Sequence, residues 1–487
     1  MHRARAIVDG DPQARPGAAG RWAGAWDRRS GAVLLLGILL RVALTVVNTY
    51  SNDNHLEVIR VMAFEGRVPP REEFEEAFQP KLYHGTVAAI WRLMPGASEE
   101  ALTLAAHLVS CAAGIVTLVL VARFLRHAVR HPDTRLVALA LVSLNPPLVA
   151  INAQATNDSF LILFATTALL FGRRFFTAWA LRDYLGLAVS TLLAVLSKGN
   201  GVVLVPAVMI TFAVALVWRL ALGGLERVDA RRIATYGLLF PLVCVAAWEL
   251  GPYGEHHRRF GSPFVTNREQ SPFPYLFEKT YYRRPGLTSL ADGLLTFRFV
   301  DLLRHPRNTQ GRHQYPLHRT SVWSQVYGRG HSIHFDGWPR PWSTSRPRVQ
   351  QLTRAILILA LLPTALLLAG FARAAVTFVR QAVPGRRERE LDAGRLLLDV
   401  AALGYVGFVV AYAVLYRDFA VMKAIFMFPG LLGFAALFVS GCDALYDWCA
   451  EHPAWRRVAH VTFALLSVCY AADVVLLILR LARLRFF

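Results

Sequence analysis

The most restrictive feature of this chain is its recurring apolar blocks. The first is "AVLLLGILLRVALTVV" (32–47), and similar runs follow along most of the length. Each is close to the roughly 20 residues that carry a helix across the hydrocarbon core of a bilayer. Backbone in lipid must satisfy its own N–H and C=O groups, so such blocks read as helices. The composition agrees. Of the 487 residues, 55% are hydrophobic and 18% charged, more apolar surface than a soluble fold of this size buries. The expectation is an all-α polytopic membrane protein with about eleven spans. They fall near 31–49, 101–125, 135–152, 157–172, 181–196, 200–219, 232–250, 353–378, 395–415, 421–440 and 458–482.

The charges orient the spans. Arginine gathers in "RFLRHAVRHPDTR" (123–135), "GRRFFTAWALR" (172–182), "RLALGGLERVDARR" (219–232) and "RQAVPGRRERELDAGR" (380–395), which the positive-inside bias assigns to the cytoplasm. That bias accounts for the net charge of +20, and no nucleic-acid motif accompanies it. The other connections then face outward. One tension remains: the tail "RLARLRFF" (480–487) is basic, yet eleven spans put it outside. The five cysteines, Cys111, Cys244, Cys442, Cys449 and Cys469, avoid the long outer segments, so no disulfide framework is expected.

Four regions follow. Residues 1–30 read as a disordered basic cytoplasmic tail before a retained first span. Residues 31–250 form an N-terminal transmembrane module that includes an outer loop, 51–100. Residues 251–352 form a long extracytoplasmic loop, and 353–487 the C-terminal spans. An outer loop of that length is more than a connector.

Candidate chemistry lies at the outer ends of the spans. "SNDNHLEVIR" (51–60) presents Asp53 and Glu57 directly after the first span, four residues apart and on one face if helical. "FQPKLYHGTVAAIW" (78–91), which carries Lys81, Tyr83 and His84, reads as a short helix along the membrane interface, so that Asp53 is held between a span and an interfacial helix. Asp158, in "NAQATNDSF" (152–160), is either a helix cap, a second carboxylate beside Asp53, or an orienting partner for a cation. Lys198, in "LSKGNGVVLVP" (196–206), sits between two apolar stretches, where a cation must snorkel or meet an anion. Arg417 and Lys423 repeat that theme in "YRDFAVMKAIFMFPGL" (416–431). In the long loop, "SVWSQVYGRGHSIHFDGWPRPW" (321–342) offers Trp323, His331, His334 and Trp338 as sugar or acceptor contacts. His331, His334 and Asp336 also suggest a metal, though their spacing is unspecific, and scattered donors on a solvated aromatic loop are the blander reading.

The order of "NDNHLEVI", "QPKLYHGTVAAIW", "NPPLVAINAQATNDSFLILF", "LSKGNGVVLVP" and "MKAIFMFPGL" resembles the GT-C superfamily of integral membrane glycosyltransferases. The likeness is greatest to protein O-mannosyltransferases, aminoarabinose transferases and related enzymes. The sequence departs from the family at "PKLY", where Lys81 replaces a second proline, and Glu57 follows Asp53 only after a gap.

The resemblance implies an inverting transfer of a sugar from a dolichyl- or undecaprenyl-phosphate donor to a lipid, glycan or protein acceptor at the outer face. Asp53 would be the base or the anchor of a possible divalent metal ion, with Glu57 and Asp158 orienting it. Lys198, Arg417 and Lys423 would stabilise the departing phosphate. His55, Lys81, Tyr83, His84, Trp323, His331, His334 and Trp338 would contact sugar or acceptor. The rival readings are a lipid or solute transporter or flippase, which requires mid-membrane charges or repeat symmetry, and a non-catalytic scaffold whose long loop binds a partner.

Overall fold

The computed structural model describes residues 27–51, 54–129, 131–221, 227–265, 287–308, 316–336, 342, 346–382, 391–416, 421–449 and 451–486. Residues 1–26 of the expected tail, and Asp53, Arg417 and Trp338, lie outside the described residues. Among the described residues the secondary structure is entirely helical.

Local signals set the helix ends. Helix α1 (Arg28–Val47) opens on Asp27, whose carboxylate accepts from the N–H and hydroxyl of Ser30 at 2.8 and 2.7 Å. Two short helices follow, α2 (His55–Arg60) and α3 (Leu82–Arg92). Helix α4 (Glu99–Ala128) is capped by Ser98, with Glu99 and Glu100 in its first turn and Arg126 and His127 in its last, each sign opposing the helix dipole. Prolines occupy the first turns of α5 (Pro132–Ser143) and α6 (Pro146–Ile151), where a missing N–H costs nothing.

Helices α7 (Asp158–Ala178) and α8 (Leu181–Ser197) form an antiparallel hairpin, followed by α9 (Leu204–Ala221), α10 (Arg227–Leu239) and α11 (Leu242–Leu250). The long loop is not featureless. It carries α12 (Tyr253–Phe260), α13 (Leu287–Leu295), α14 (Phe299–Arg304) and α15 (Val322–His331). The chain re-enters the bundle through α16 (Pro347–Leu359), α17 (Leu361–Ala382), α18 (Ala393–Tyr416), α19 (Leu431–Cys449) and α20 (Pro453–Phe486).

Among the described residues, nine helices or joined helices are long and apolar enough to cross a membrane. The expected eleven spans include two shorter ones, α8 with 17 residues and α5 with 12, which α6 extends. Glycine permits the closest packing. A Cβ on Gly370 of α17 would overlap the Leu437 carbonyl of α19, and one on Gly441 of α19 would overlap the Leu366 carbonyl of α17. Small residues draw apolar helices together this way where water supplies no driving force.

The last helix answers the question raised by the basic tail. At the start of α20, Arg456 pairs with Asp133 of α5 at 3.4 Å. At its far end, Arg485 donates to the Val46 carbonyl of α1 and pairs with Glu100 of α4. The C-terminal end of α20 therefore lies at the same end of the bundle as the first loop, and Glu100 offsets part of its charge.

The sequence reading gathered the candidate charges at one face. Two charges outside that set, Arg41 of α1 and Asp473 of α20, are buried within the bundle, at 1% and 0% exposure. Arg41 donates to Asn152 Oδ1 (3.0 Å) and to the carbonyls of Ser143 (2.7 Å) and Gly37 (2.9 Å). Asn152 in turn donates to Ser159 Oγ at 3.2 Å, and a Cβ on Gly114 would collide with the Asn152 side chain. Arg41 thus pins the 152–157 connection to the bundle. Asp473 accepts from the Ile333 N–H at 2.9 Å and from Ser332 Oγ at 3.3 Å, tying the long loop to α20.

Candidate active site

The connection held by Arg41 and Asn152 delivers Asp158 to the start of α7, and the α7–α8 hairpin returns Lys198 to the same end. Lys198 Nζ donates to both carboxylate oxygens of Asp158 at 2.8 Å. The two side chains are 15% and 9% exposed. Thr156 fixes the carboxylate from the other side, with Oγ1 3.1 Å from Asp158 Oδ2. Asp158 is therefore no simple helix cap, and the anion that Lys198 meets belongs to the protein. The Lys198 ammonium also lies 5.9 Å from the centroid of the Phe426 ring, within cation–π range. Phe426 belongs to the 3₁₀ segment Ala424–Gly430 that leads into α19.

The first loop supplies the neighbouring wall. Tyr83, Val87 and Trp91 of α3 recur every fourth residue and are fully buried against α2 and α4. The Trp91 indole donates to the Leu102 carbonyl at 2.9 Å, and the Tyr83 hydroxyl to the Ala106 carbonyl at 3.1 Å. The aromatic residues of α3 thus anchor it to protein.

The same helix carries His84, whose Nε2 lies 3.0 Å from Nδ1 of His55. Burial holds His84 well below the ordinary histidine range, and the charges of His55, Lys81 and Lys198 lower it further. The two imidazoles thus belong to one electrostatic neighbourhood with Lys198. Lys81 Nζ donates to the carbonyls of Ala77 (2.5 Å) and Gln79 (2.7 Å). Burial brings its pKa down to about 8, opposed by Glu76 and Glu255.

Other predicted residues lie apart from this cluster. Glu57 is exposed, on the side of α2 away from buried His55 and Ile59. Asp53, expected to share a helical face with Glu57, lies outside the described residues. Trp323 is 37% exposed and donates to the Leu294 carbonyl at 2.7 Å. His331 meets the Tyr470 hydroxyl of α20, and His334 lies 3.9 Å from Asp473. Asp336 instead pairs with Arg329 at 3.1 Å. His331, His334 and Asp336 therefore point to three different partners. More generally, no three His, Cys, Asp or Glu side chains converge among the described residues. These residues alone do not make a metal site.

Lys423 is half-buried at the start of the Phe426 segment and forms no ion pair among the described residues. The sequence reading missed Arg329. It is buried on α15 and donates to the Met422 carbonyl at 3.3 Å, next to Lys423. Its only sequence signal was a charge between two glycines in "YGRGH".

Residues 89–248 match the family model described as dolichyl-phosphate-mannose-protein mannosyltransferase. This segment contains Asp158 and Lys198. No curated protein sequence matches the chain. Among solved structures, the Archaeoglobus fulgidus oligosaccharyltransferase tethered to an acceptor peptide aligns over 93% of this chain at 13% identity, with a TM-score of 0.44. The chain spans 55% of that protein's length. ArnT from Cupriavidus metallidurans bound to undecaprenyl phosphate aligns over 87% of this chain and 79% of its own, at 16% identity and a TM-score of 0.35. Its apo form aligns over 85% and 77%, at 15% identity and a TM-score of 0.36. By the matched segment and the all-helical spanning architecture, the chain resembles the GT-C superfamily of integral membrane glycosyltransferases.

Proposed function

We propose that the protein transfers a sugar from a polyprenyl phosphate to a hydroxyl or amide of a lipid, glycan or protein acceptor, on the extracytoplasmic side. The observation that carries this reading is the Asp158–Lys198 pair inside the segment matched by a dolichyl-phosphate-mannose transferase model. The pair sits at the end of the bundle that bears the first loop and its cluster of His55, Lys81, Tyr83 and His84.

A phosphate leaving group needs positive charge rather than a proton donor. Lys423 and Arg417 take that role, joined by Lys198 when it exchanges Asp158 for the donor. The acceptor loses a proton as it attacks the anomeric carbon. Asp53 takes the proton, and in-line attack inverts the centre. Asp158 orients the sugar or the base, and the loop 251–352 covers the site and selects the acceptor. The charges buried within the bundle, Arg41 and Asp473, are bonded to neighbouring backbone and side chains, which favours transfer over transport.

The test is transfer of radiolabel from a panel of polyprenyl-phosphate sugars to acceptor extract by purified protein in nanodiscs. Label moving to acceptor, with release of polyprenyl phosphate, supports the reading. Binding of donors with no transfer to any acceptor fraction, coupled to movement of lipid between leaflets, would replace it with transport.

A further inference from the structure

Two asparagines lie close to the ion pair in sequence, one next to each partner. Asn157 precedes Asp158, and Asn200 follows Lys198 by two residues. They are 0% and 6% exposed. Among the described residues, neither Oδ1 nor Nδ2 of either side chain has a hydrogen-bond partner. Buried polar atoms in folded proteins are almost always paired, and an unpaired amide is costly in a low-dielectric site. Two complete amides left unmade beside one ion pair point to a missing polar partner.

Ordinary roles do not account for them. Asn157 stands at the head of α7 with φ −73° and ψ −12°, and its side chain makes no cap. Asn200 lies in the 3₁₀ turn Gly199–Val203. That turn cannot relax toward α8, because a Cβ on Gly201 would already overlap the Ala194 carbonyl. Beside the turn there is room, since a Cβ on Gly199 would meet nothing within 4 Å. Unfilled space thus adjoins a residue between Lys198 and Asn200.

We propose that Asn157 and Asn200 form a hydroxyl-recognition subsite for the donor sugar, buried without partners until the sugar supplies them. An asparagine amide offers a donor and an acceptor side by side, which matches a sugar hydroxyl that gives one hydrogen bond and takes another. The subsite rests on the transfer reading above. Lys198 moving from Asp158 to the donor phosphate shifts both segments that carry the amides and opens them to the sugar.

The experiment uses wild type, Asn157→Ala, Asn200→Ala and the double variant in nanodiscs. Undecaprenyl phosphate, undecaprenyl-phosphate-mannose and its deoxy-sugar analogues are the probes, with binding and thermal unfolding as readouts. Loss of these amides should leave the ligand-free melting temperature unchanged or raise it, because no hydrogen bond is lost. Affinity for the mannosyl lipid should fall about 3–15-fold per substitution, while affinity for undecaprenyl phosphate stays constant. At least one deoxy analogue should bind wild type and one variant equally, locating the hydroxyl. A wild-type preference for the sugar-bearing lipid that survives both substitutions overturns the subsite alone. So does a lower ligand-free melting temperature with unchanged ligand selectivity, the signature of a structural role. No preference for any sugar-bearing lipid in wild type overturns the transfer reading and the subsite with it.

Discussion

Lys198 and Asp158 form a two-point hydrogen-bonded ion pair, 2.8 Å from nitrogen to each oxygen, that closes the open end of the α7–α8 hairpin. Its small exposure, 15% and 9% of the side chains, makes each charge depend on the other. Removing one partner of a buried pair typically costs about 3–5 kcal/mol, because the remaining charge stays buried. Asp158→Asn and Lys198→Met should each destabilise the protein by about 3 kcal/mol. Asp158→Leu combined with Lys198→Met should cost well under the sum. Unfolding in mixed detergent micelles measures the coupling, and strict additivity would show that the pair contributes nothing to the fold.

Lys423 differs from Lys198 in having no ion-pair partner among the described residues. A cation kept without a counter-ion near the proposed donor site should matter for binding more than for folding. Lys423→Ala should leave the melting temperature within about 1 °C. It should raise the KM for a polyprenyl-phosphate donor about 10-fold, the usual value of one hydrogen bond to a charged group. Steady-state kinetics at varied donor concentration checks this, and an unchanged KM would remove Lys423 from the donor site.

Acid should loosen the protein through its buried histidines. Burial lowers His318 and His331 from 6.5 to about 4 and holds His84 well below its ordinary range. Below pH 6.5 the unfolded chain takes up protons that these folded imidazoles refuse. Stability is therefore complete above about pH 7 and falls as pH drops from 6.5 toward 4. Melting curves across that window should show the fall, and His318→Gln should flatten its slope. A melting temperature independent of pH between 4 and 7 would contradict the burial of these rings.

The contact between α17 and α19 depends on reciprocal glycines. Gly370→Ala or Gly441→Ala puts a methyl group into the carbonyl of the facing helix, and overpacking of this kind costs about 1–3 kcal/mol. Thermal inactivation should speed up in both variants, while transfer by the surviving folded protein stays near wild type. Unchanged inactivation would mean that the helices separate freely.

The spans were legible because lipid imposes one rule on every block, and length and apolarity report it directly. The partnership of Asp158 and Lys198 was not. Their 40-residue separation places them together only through the α7–α8 hairpin, so the sequence pointed to a cation near Asp158 and an anion near Lys198 without naming either as the other's partner. Arg41 and Asp473 were hidden for the opposite reason. Each is a single charge within an apolar run, and only tertiary contacts with Asn152 and Ile333 explain its burial. Glu57 read as a partner of Asp53 by spacing; it is exposed on α2, and Asp53 lies outside the described residues. His331 and His334 read as sugar or acceptor contacts, and the packing of the long loop on α20 sets them against Tyr470 and Asp473.

The most direct test of the account is transfer of radiolabelled sugar from polyprenyl-phosphate donors by purified wild-type protein and by Asp53→Asn. The predicted result is transfer by wild type that disappears in an Asp53→Asn variant with an unchanged melting temperature and intact donor binding. Transfer that survives the substitution would contradict Asp53 as base. Absence of both transfer and donor binding in wild type would contradict the glycosyltransferase reading itself.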